Sequence, residues 1–290
     1  MEKYIEKSGL LLDHLQELYP DSSKNTLRQW IQQGRVWINQ EQAKKNCLVE
    51  NGQTVSIKSK ERAVQKGLTI HYEDQHIIVV EKKAGLLSVA TAFEKEETVF
   101  DILKRRFRPK QVYVIHRLDR ETSGILIFAK SEPAFRKLKD LFKEHDLERE
   151  YFAVVDGHPE SPKGTWESYL KEDKNYFVQS VTPQKGAQRA ITHYTELQRQ
   201  GKHSLLRVRL ETGRKNQVRV HCADAGMPIV GDSKYGYKGT FKKRLCLHAT
   251  RLALKHPITG KWMSFTSPYP EAFQSLVKWV VSENSKNASK

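Results

Sequence analysis

The stretch HRLDRETSG, from His116 to Gly124, constrains the fold more than any other part of the sequence. It stands between QVYVI (111–115) and ILIFA (125–129), two short apolar runs that predict β-strands. The Thr-Ser-Gly end is typical of a turn, and Asp119 beside it fits a turn-capping aspartate. The local pattern alone leaves a second interpretation open, in which Asp119 is an ionised catalytic carboxylate between the ends of two strands.

The remaining pattern predicts an α+β fold around a mixed, largely antiparallel sheet, because strands and helices are interspersed without a regular βαβ period. Apolar spacing predicts helices at 10–18, 26–33, 98–107, 132–144 and 218–225. Strands are expected at 35–38, 68–72, 77–80, 151–155, 190–197 and 205–210, and ENGQTVSI (50–57) predicts a turn and a second short strand. A polar run near residue 60 predicts a domain boundary. We therefore expect a small domain over 1–60, a linker over 61–67, a main domain over 68–282 and a disordered tail over 283–290.

Positive charge dominates the composition, with 50 Lys and Arg against 34 Asp and Glu and a formal net charge of +16. This excess favours a polyanionic partner such as RNA, although a merely soluble basic protein would show the same balance. The segment KYGYKGTFKKR (234–244) interleaves basic and aromatic residues, which suits phosphates and unpaired bases. We predict RNA contacts from this segment and from two arginines of the N-terminal module: Lys234, Tyr235, Lys242, Lys243, Arg244, Arg28 and Arg35.

Several function classes lack their sequence marks. HExxH and Cys/His clusters are missing, as are GxxxxGK[ST] and GxGxxG, so we expect no metal and no cofactor. Ser123 lacks the GxSxG context of a hydrolase nucleophile. Three cysteines without CxxC spacing suggest reduced thiols, and no stretch approaches about 18 apolar residues. We expect a monomeric cytoplasmic protein without a membrane segment.

Several segments together resemble the RluA family of pseudouridine synthases. HRLDRETSG matches the family signature HRLDxxTSG, and LETGRKNQVRVH (210–221) resembles LxTGRxHQIRxH, with Asn216 where histidine is usual. VVEKKAGLLSV (79–89) resembles the segment that usually reads NKPxGL, although it lacks the proline. EREYFAVVDG (148–157) resembles the tyrosine-bearing strand of the family. The N-terminal module resembles the RNA-binding domain of ribosomal protein S4, which many members carry.

The resemblance implies a pseudouridine-synthase-like catalytic domain behind a small α/β RNA-binding domain. It makes Asp119 the essential catalytic residue, which either attacks the anomeric carbon of the ribose or removes the proton at ribose carbon two. It makes Arg214 the arginine that pairs with Asp119. Arg117 would fill the space left by a flipped uridine, Tyr151 would stack on the target base, and Leu210 would form the floor of the pocket. Neither metal nor cofactor is implied.

Three alternatives stay open at this point. Members with this N-terminal module often modify large-subunit ribosomal RNA, which we therefore expect as the substrate, with transfer RNA as the alternative. An RNA-binding protein without activity, such as a ribosome-assembly factor, would share the fold but would not need the Asp119 carboxylate beside an anionic ligand. A glycosylase or deaminase would need a second positioned carboxylate or a zinc site, which the sequence does not suggest.

Overall fold

The computed structural model describes residues 2–20, 22–32, 36–39, 41–43, 45–57, 68–90 and 96–279. The predicted linker over 61–67, the predicted tail over 283–290 and Arg35 lie outside these ranges. The chain divides into two compact units, Met1–Val64 and Gln65–Lys290. No helix in the described ranges is both long and apolar enough to span a membrane.

The N-terminal unit is a small α/β body in which two helices cover short strands. Its elements are β1 (Glu2–Tyr4), β2 (Gly9–Leu10), α1 (Leu11–Leu18), α2 (Lys24–Gln32), β3 (Val36–Ile38), β4 (Glu41–Gln42), β5 (Leu48–Val49) and β6 (Thr54–Ile57). One sheet has the order β1-β6-β3-β4, and β2 pairs with β5. Leu15 of α1 and Leu27 of α2 are fully buried in the core of this unit. Apolar spacing thus located both helices.

The larger unit contains eleven strands, four α-helices and a short 3-10 helix within its described residues. The first half comprises β7 (Leu68–Glu73), β8 (Ile77–Lys82), α3 (Val99–Arg106), β9 (Tyr113–Val114), β10 (Ser123–Ala129), α4 (Glu132–Glu144) and β11 (Leu147–Asp156). The second half comprises β12 (Lys163–Glu172), β13 (Val178–Val181), β14 (Gln188–Gln200), β15 (His203–Leu210), α5 (Gln217–Asp224), the 3-10 turn Ser233–Tyr235, β16 (Leu247–Lys255), β17 (Trp262–Thr266) and α6 (Glu271–Gln274).

All strands of this unit join one sheet. Its main path runs β13-β12-β14-β15-β11-β16-β10-β8-β7, with β17 added to β16 and β9 added to β10. Every strand pairing described there is antiparallel except that of β10 with β16, which run parallel at Ser123–His248 and Gly124–Ala249. A β-carbon at Gly124 would lie 2.2 Å from the Ala249 carbonyl oxygen, so this close crossing requires glycine. The sheet confirms the predicted α+β class.

Strand β10 is the most deeply packed part of the sheet. Its successive side chains point to opposite faces, so Ile127 joins the core beneath Leu138 of α4, whereas Phe128 joins the core that contains Leu103 of α3. All seven residues of β10 are buried as a result. The segment HRLDRETSG enters this rigid strand directly, which fixes the position of the loop before it.

The strand predicted at 111–115 is shorter than expected. Only Tyr113 and Val114 pair with β10, at Ala129 and Phe128. The chain then leaves the sheet. The Ile127 amide of β10 donates a hydrogen bond to Nε2 of His116 at 3.2 Å, so a side chain takes the place of a backbone acceptor from a paired strand. This imidazole accepts a hydrogen bond while burial and the charge of Arg149 lower the pKa of His116 to about 3. His116 therefore holds the loop as a neutral ring.

Candidate active site

A small pocket of about 60 Å³ lies where the loop between β9 and β10 meets β11, the end of β15 and the start of α5. Because β15, β11, β16 and β10 are neighbours in the sheet, they bring together residues far apart in the sequence. The pocket is lined by Arg117, Leu118, Asp119, Thr122, Tyr151, Leu210, Arg214, Asn216, Gln217, Val218, Arg219 and Leu247. The lining includes five residues that the sequence predicted for the site: Arg117, Asp119, Tyr151, Leu210 and Arg214.

The loop that carries Asp119 is held on both sides by backbone contacts. The Ser88 hydroxyl donates to the Leu118 carbonyl at 2.7 Å and accepts from the Leu118 amide at 3.1 Å. On the other side, the carbonyl of Arg120 accepts from the Gly85 amide and from Nζ of Lys82, both at 2.9 Å. Leu118 and Arg120, the residues on either side of Asp119, are therefore held in place, which fixes the backbone position of Asp119.

Lys82 ties the preceding turn to the same loop. Its side chain is fully buried, and Nζ also donates to the carbonyls of Lys83 at 3.1 Å and Leu86 at 2.7 Å. Burial lowers the pKa of Lys82 to about 7. The turn that contains Ala84 is thus held from within by the Lys82 side chain. Sequence reasoning did not assign this role to Lys82, although the lysine stands in the segment that resembles NKPxGL.

Among the described residues, the carboxylate of Asp119 has two partners, and both contact Oδ2. Nδ2 of Asn216 donates to it at 2.6 Å, and Nη1 of Arg219 lies 3.5 Å away. Oδ1 accepts no hydrogen bond from the described part of the chain. One oxygen is therefore anchored, while the other is available to a bound molecule.

The predicted ion pair between Arg214 and Asp119 is wrong, because Arg219 occupies that place. Nε of Arg214 donates instead to the carbonyl of Arg189 at 3.0 Å, while its backbone amide bonds to Gln217. Arg214 lies in the turn before α5, whereas Arg219 lies within the helix and faces the loop of Asp119. Both arginines stand in LETGRKNQVRVH, so the segment was identified but the wrong arginine was chosen.

Arg219 is itself fixed by a buried carboxylate. Nε and Nη2 each donate to Asp232 at 2.7 Å, a two-point contact, and the Arg219 guanidinium lies 4.9 Å from the centre of the Tyr235 ring. Burial alone would lower the pKa of Arg219, but Asp232 and then Asp119 raise it above its ordinary value. The cation beside Asp119 is therefore permanent and rigidly placed.

Tyr151 and Leu210 form the apolar side of the pocket. Both residues are buried, and each has only 8% of its surface exposed to solvent. Tyr151 pairs with Val208 of β15 and Ala249 of β16, so its backbone position is set from both sides. Burial raises the pKa of Tyr151, Arg149 opposes this shift and Asp119 adds to it. The Tyr151 phenol is thus uncharged at neutral pH and offers an aromatic face with one hydroxyl.

Arg117 differs from the other arginines of the site. Its side chain is exposed, and it makes no hydrogen bond or ion pair with any residue that the structure describes. It therefore stands at the mouth of the pocket without a fixed position.

The predicted RNA-contacting segment 234–244 divides into two groups. Lys234, Lys242 and Lys243 are exposed, as predicted for phosphate contacts. Tyr235 is only 7% exposed, which contradicts its predicted stacking on RNA bases. Its ring packs 5.0 Å from Phe177, and its hydroxyl donates to Oδ1 of Asn216 at 3.3 Å, because the Arg219–Asp232 pair draws this turn beneath α5.

Arg244 is also turned inward, contrary to its predicted contact with RNA. Nη2 donates to the Ser123 hydroxyl at 2.6 Å and Nε donates to the Leu245 carbonyl at 3.0 Å. Its guanidinium lies 4.9 Å from the ring centre of Phe273. These contacts stabilise the start of β10 and leave no extended arginine for a phosphate. In the N-terminal unit, Arg28 is exposed on α2.

Comparisons with known proteins agree with this architecture. Residues 76–224 match the RNA pseudouridylate synthase family, and residues 11–57 match the S4 domain. The chain is 32% identical to ribosomal large subunit pseudouridine synthase D of Escherichia coli K12, over 93% of this chain and 90% of that protein. It is 31% identical to the RNA pseudouridine synthase YlyB of Bacillus subtilis, over 94% of both chains. Human RNA pseudouridylate synthase domain containing 1 superposes with a TM-score of 0.59 at 25% identity, over 69% of this chain and 83% of that one.

Proposed function

The chain belongs to the RluA family of RNA pseudouridine synthases and carries an N-terminal S4 domain, and we propose that it isomerises specific uridines of large-subunit ribosomal RNA. This reaction breaks the glycosidic bond of a uridine, turns the base and rejoins it through carbon five. In our proposal it proceeds without metal or cofactor. The relatives named for the ribosomal large subunit support this choice of RNA.

Asp119 is the catalytic carboxylate of this proposal. The observation that carries it is the asymmetry of the carboxylate, in which Asn216 and Arg219 both hold Oδ2 and leave Oδ1 free to meet the ribose. A nearby cation favours the ionised form of a carboxyl group. Attack on the anomeric carbon and removal of the proton at ribose carbon two both require that ionised form, so both routes use the same geometry.

The target uridine must leave its stack before Asp119 can reach the ribose. Base flipping costs a few kcal/mol in a duplex. In our proposal the exposed, unpaired Arg117 enters the space left by the base. Tyr151 then stacks on the uracil, Leu210 lies beneath it, and Arg214 contributes positive charge at the rim. These side chains border the pocket of about 60 Å³ described above, into which the uracil would enter from solvent.

Contacts outside the pocket come from exposed basic side chains. Lys234, Lys242 and Lys243 lie on the larger unit, and Arg28 lies on the S4 domain. Such residues neutralise phosphates without reading sequence. We place the enzyme in the cytoplasm as a monomer that acts on ribosomal RNA.

Pseudouridine maps of total RNA test the substrate directly. Cells with the gene, cells without it and cells that carry Asp119→Asn should be compared. We expect the same sites in large-subunit ribosomal RNA to disappear in the last two. Loss of sites in transfer RNA alone would reassign the substrate. Unchanged maps would mean that the protein binds RNA without modifying it.

A further inference from the structure

Arg149 is a partly buried cation to which the described residues supply neither a hydrogen-bond acceptor nor a carboxylate. It lies on β11, two residues before Tyr151, and Nε is inaccessible and without a hydrogen-bond acceptor. No described carboxylate forms an ion pair with its guanidinium. Burying an N–H donor without an acceptor is unfavourable, and this applies to Nε of Arg149. Arg149 therefore needs an explanation that packing does not give.

The surroundings of Arg149 are positive rather than negative. Burial lowers the pKa of Arg149, Tyr151 opposes this shift, and the charge of Arg214 adds to it. Arg149 in turn lowers the pKa values of His116 and His145, in each case after burial. One face of the guanidinium lies 5.7 Å from the ring centre of Phe142. Two arginines thus act on the same small region where neither has a described carboxylate partner.

The turn before α5 is shaped around this guanidinium. A β-carbon at Gly213 would lie 2.3 Å from Nη1 of Arg149, so the guanidinium packs directly against the backbone of this turn. Gly213 is followed by Arg214, which lines the pocket together with Tyr151. The unpartnered cation consequently borders the place where the target nucleotide would lie.

From this geometry we infer that Arg149 and Arg214 bind a phosphate of the RNA backbone that adjoins the target uridine. A phosphodiester offers two anionic oxygens, and the planar fork of arginine matches them in a two-point contact. The phosphate would supply the hydrogen-bond acceptors and the negative charge that the described residues do not supply to Arg149. This inference rests on the proposed function, because it assigns a part of the same substrate to a neighbouring site.

A double-substitution cycle tests this contact by removing the charge of Arg149, the charge of the RNA phosphate, or both. Once the target uridine is mapped, a short RNA that contains it is made with one flanking phosphodiester replaced by a neutral methylphosphonate. Arg149→Gln should lower kcat/KM on the normal RNA roughly 10- to 100-fold, the loss of a hydrogen bond to a charged group. At one of the two flanking positions, the neutral linkage should harm the wild type by a similar factor and should add little to Arg149→Gln.

Two controls keep the result interpretable. Arg136→Gln removes the same charge from an exposed position on α4, where Arg136 contacts Glu132, and should behave as the wild type with both RNAs. Arg149→Gln should melt at the same temperature as the wild type or higher, because it removes a buried charge that lacks a partner. Additive losses at both flanking positions, or an active Arg149→Gln enzyme, would overturn the phosphate site. A wild-type enzyme that makes no pseudouridine in any RNA would instead contradict the proposed function.

Discussion

Asn216 donates its side-chain amide to Oδ2 of Asp119 at 2.6 Å, although the two residues lie 97 positions apart in the sequence. Its carbonyl oxygen accepts from the Tyr235 hydroxyl at 3.3 Å, which fixes the amide orientation because only Nδ2 can donate to a carboxylate. Asn216 begins α5 with a positive φ of 55°, a conformation that asparagine tolerates well. The residue that departs from the family pattern is therefore a direct partner of the proposed catalytic carboxylate.

Substitution of Asn216 should separate hydrogen bonding from bulk. Asn216→His offers one N–H donor and should keep most of the turnover, whereas Asn216→Ala should lower kcat about 10- to 100-fold through the lost hydrogen bond to a charged group. Asn216→Asp places a second carboxylate against the first. One of the pair must then hold a proton, so the acidic limb of the pH–activity profile should move to higher pH. An unchanged profile in Asn216→Asp would show that residue 216 does not contact the catalytic group in solution.

Arg219 and Arg214 should differ sharply in stability. Arg219→Ala leaves Asp232 buried without its two-point partner, and the free energy of unfolding should fall by about 3–5 kcal/mol. Arg214→Ala removes one hydrogen bond to a carbonyl and should change it by about 1 kcal/mol. Urea denaturation measures both variants. Equal losses would contradict the assignment of the buried ion pair to Arg219.

Two substitutions can separate the aromatic face of Tyr151, which we propose stacks on the uracil, from its hydroxyl. Tyr151→Phe keeps the aromatic face, so RNA binding should survive while any proton step through the hydroxyl slows. Tyr151→Leu removes the face as well, and the affinity for RNA should fall by roughly tenfold or more, the contribution of one stacked base. Filter binding and turnover should be measured together. Identical behaviour of the two variants would exclude stacking as the contribution of Tyr151.

Lys82 should make stability depend on pH above neutrality. Its pKa is lowered by burial to about 7 in the folded protein, whereas an unfolded lysine keeps its proton until about pH 10.4. Between these values the unfolded state binds more protons, so stability should rise with pH. The effect is isolated as the difference in unfolding free energy between the wild type and Lys82→Met. A difference that stays constant from pH 7 to pH 10 would contradict the lowered pKa.

Local patterns predicted much of the fold because apolar spacing and capping residues act over short distances. The helix expected at 132–144 has those bounds, and the helix at 98–107 begins with a capping box between Thr98 and Asp101. Strands β12 and β17 were not predicted, and most of their residues are exposed or only partly buried. Their stability comes from pairing with β14 and β16, which a local pattern does not contain.

The site was predicted only in part, because its decisive contacts join distant segments. The signature located Asp119, but the choice between Arg214, in the turn before α5, and Arg219, within α5, depended on which of them faces the loop of Asp119. We expected Tyr235 to be exposed and to stack on RNA bases because its neighbours in the sequence are basic. Its burial follows from Asp232 and Asn216, whose contacts appear only when the chain is folded.

In our proposal, pseudouridine formation requires the ionised carboxylate of Asp119. The most direct test is the release of tritium from carbon five of uridine in labelled, unmodified large-subunit ribosomal RNA, measured for the wild type and for Asp119→Asn. The substitution preserves size and removes the charge that both proposed routes require. We expect release by the wild type and none by Asp119→Asn, with RNA binding and melting temperature close to those of the wild type. Tritium release by Asp119→Asn near the wild-type rate would contradict the account.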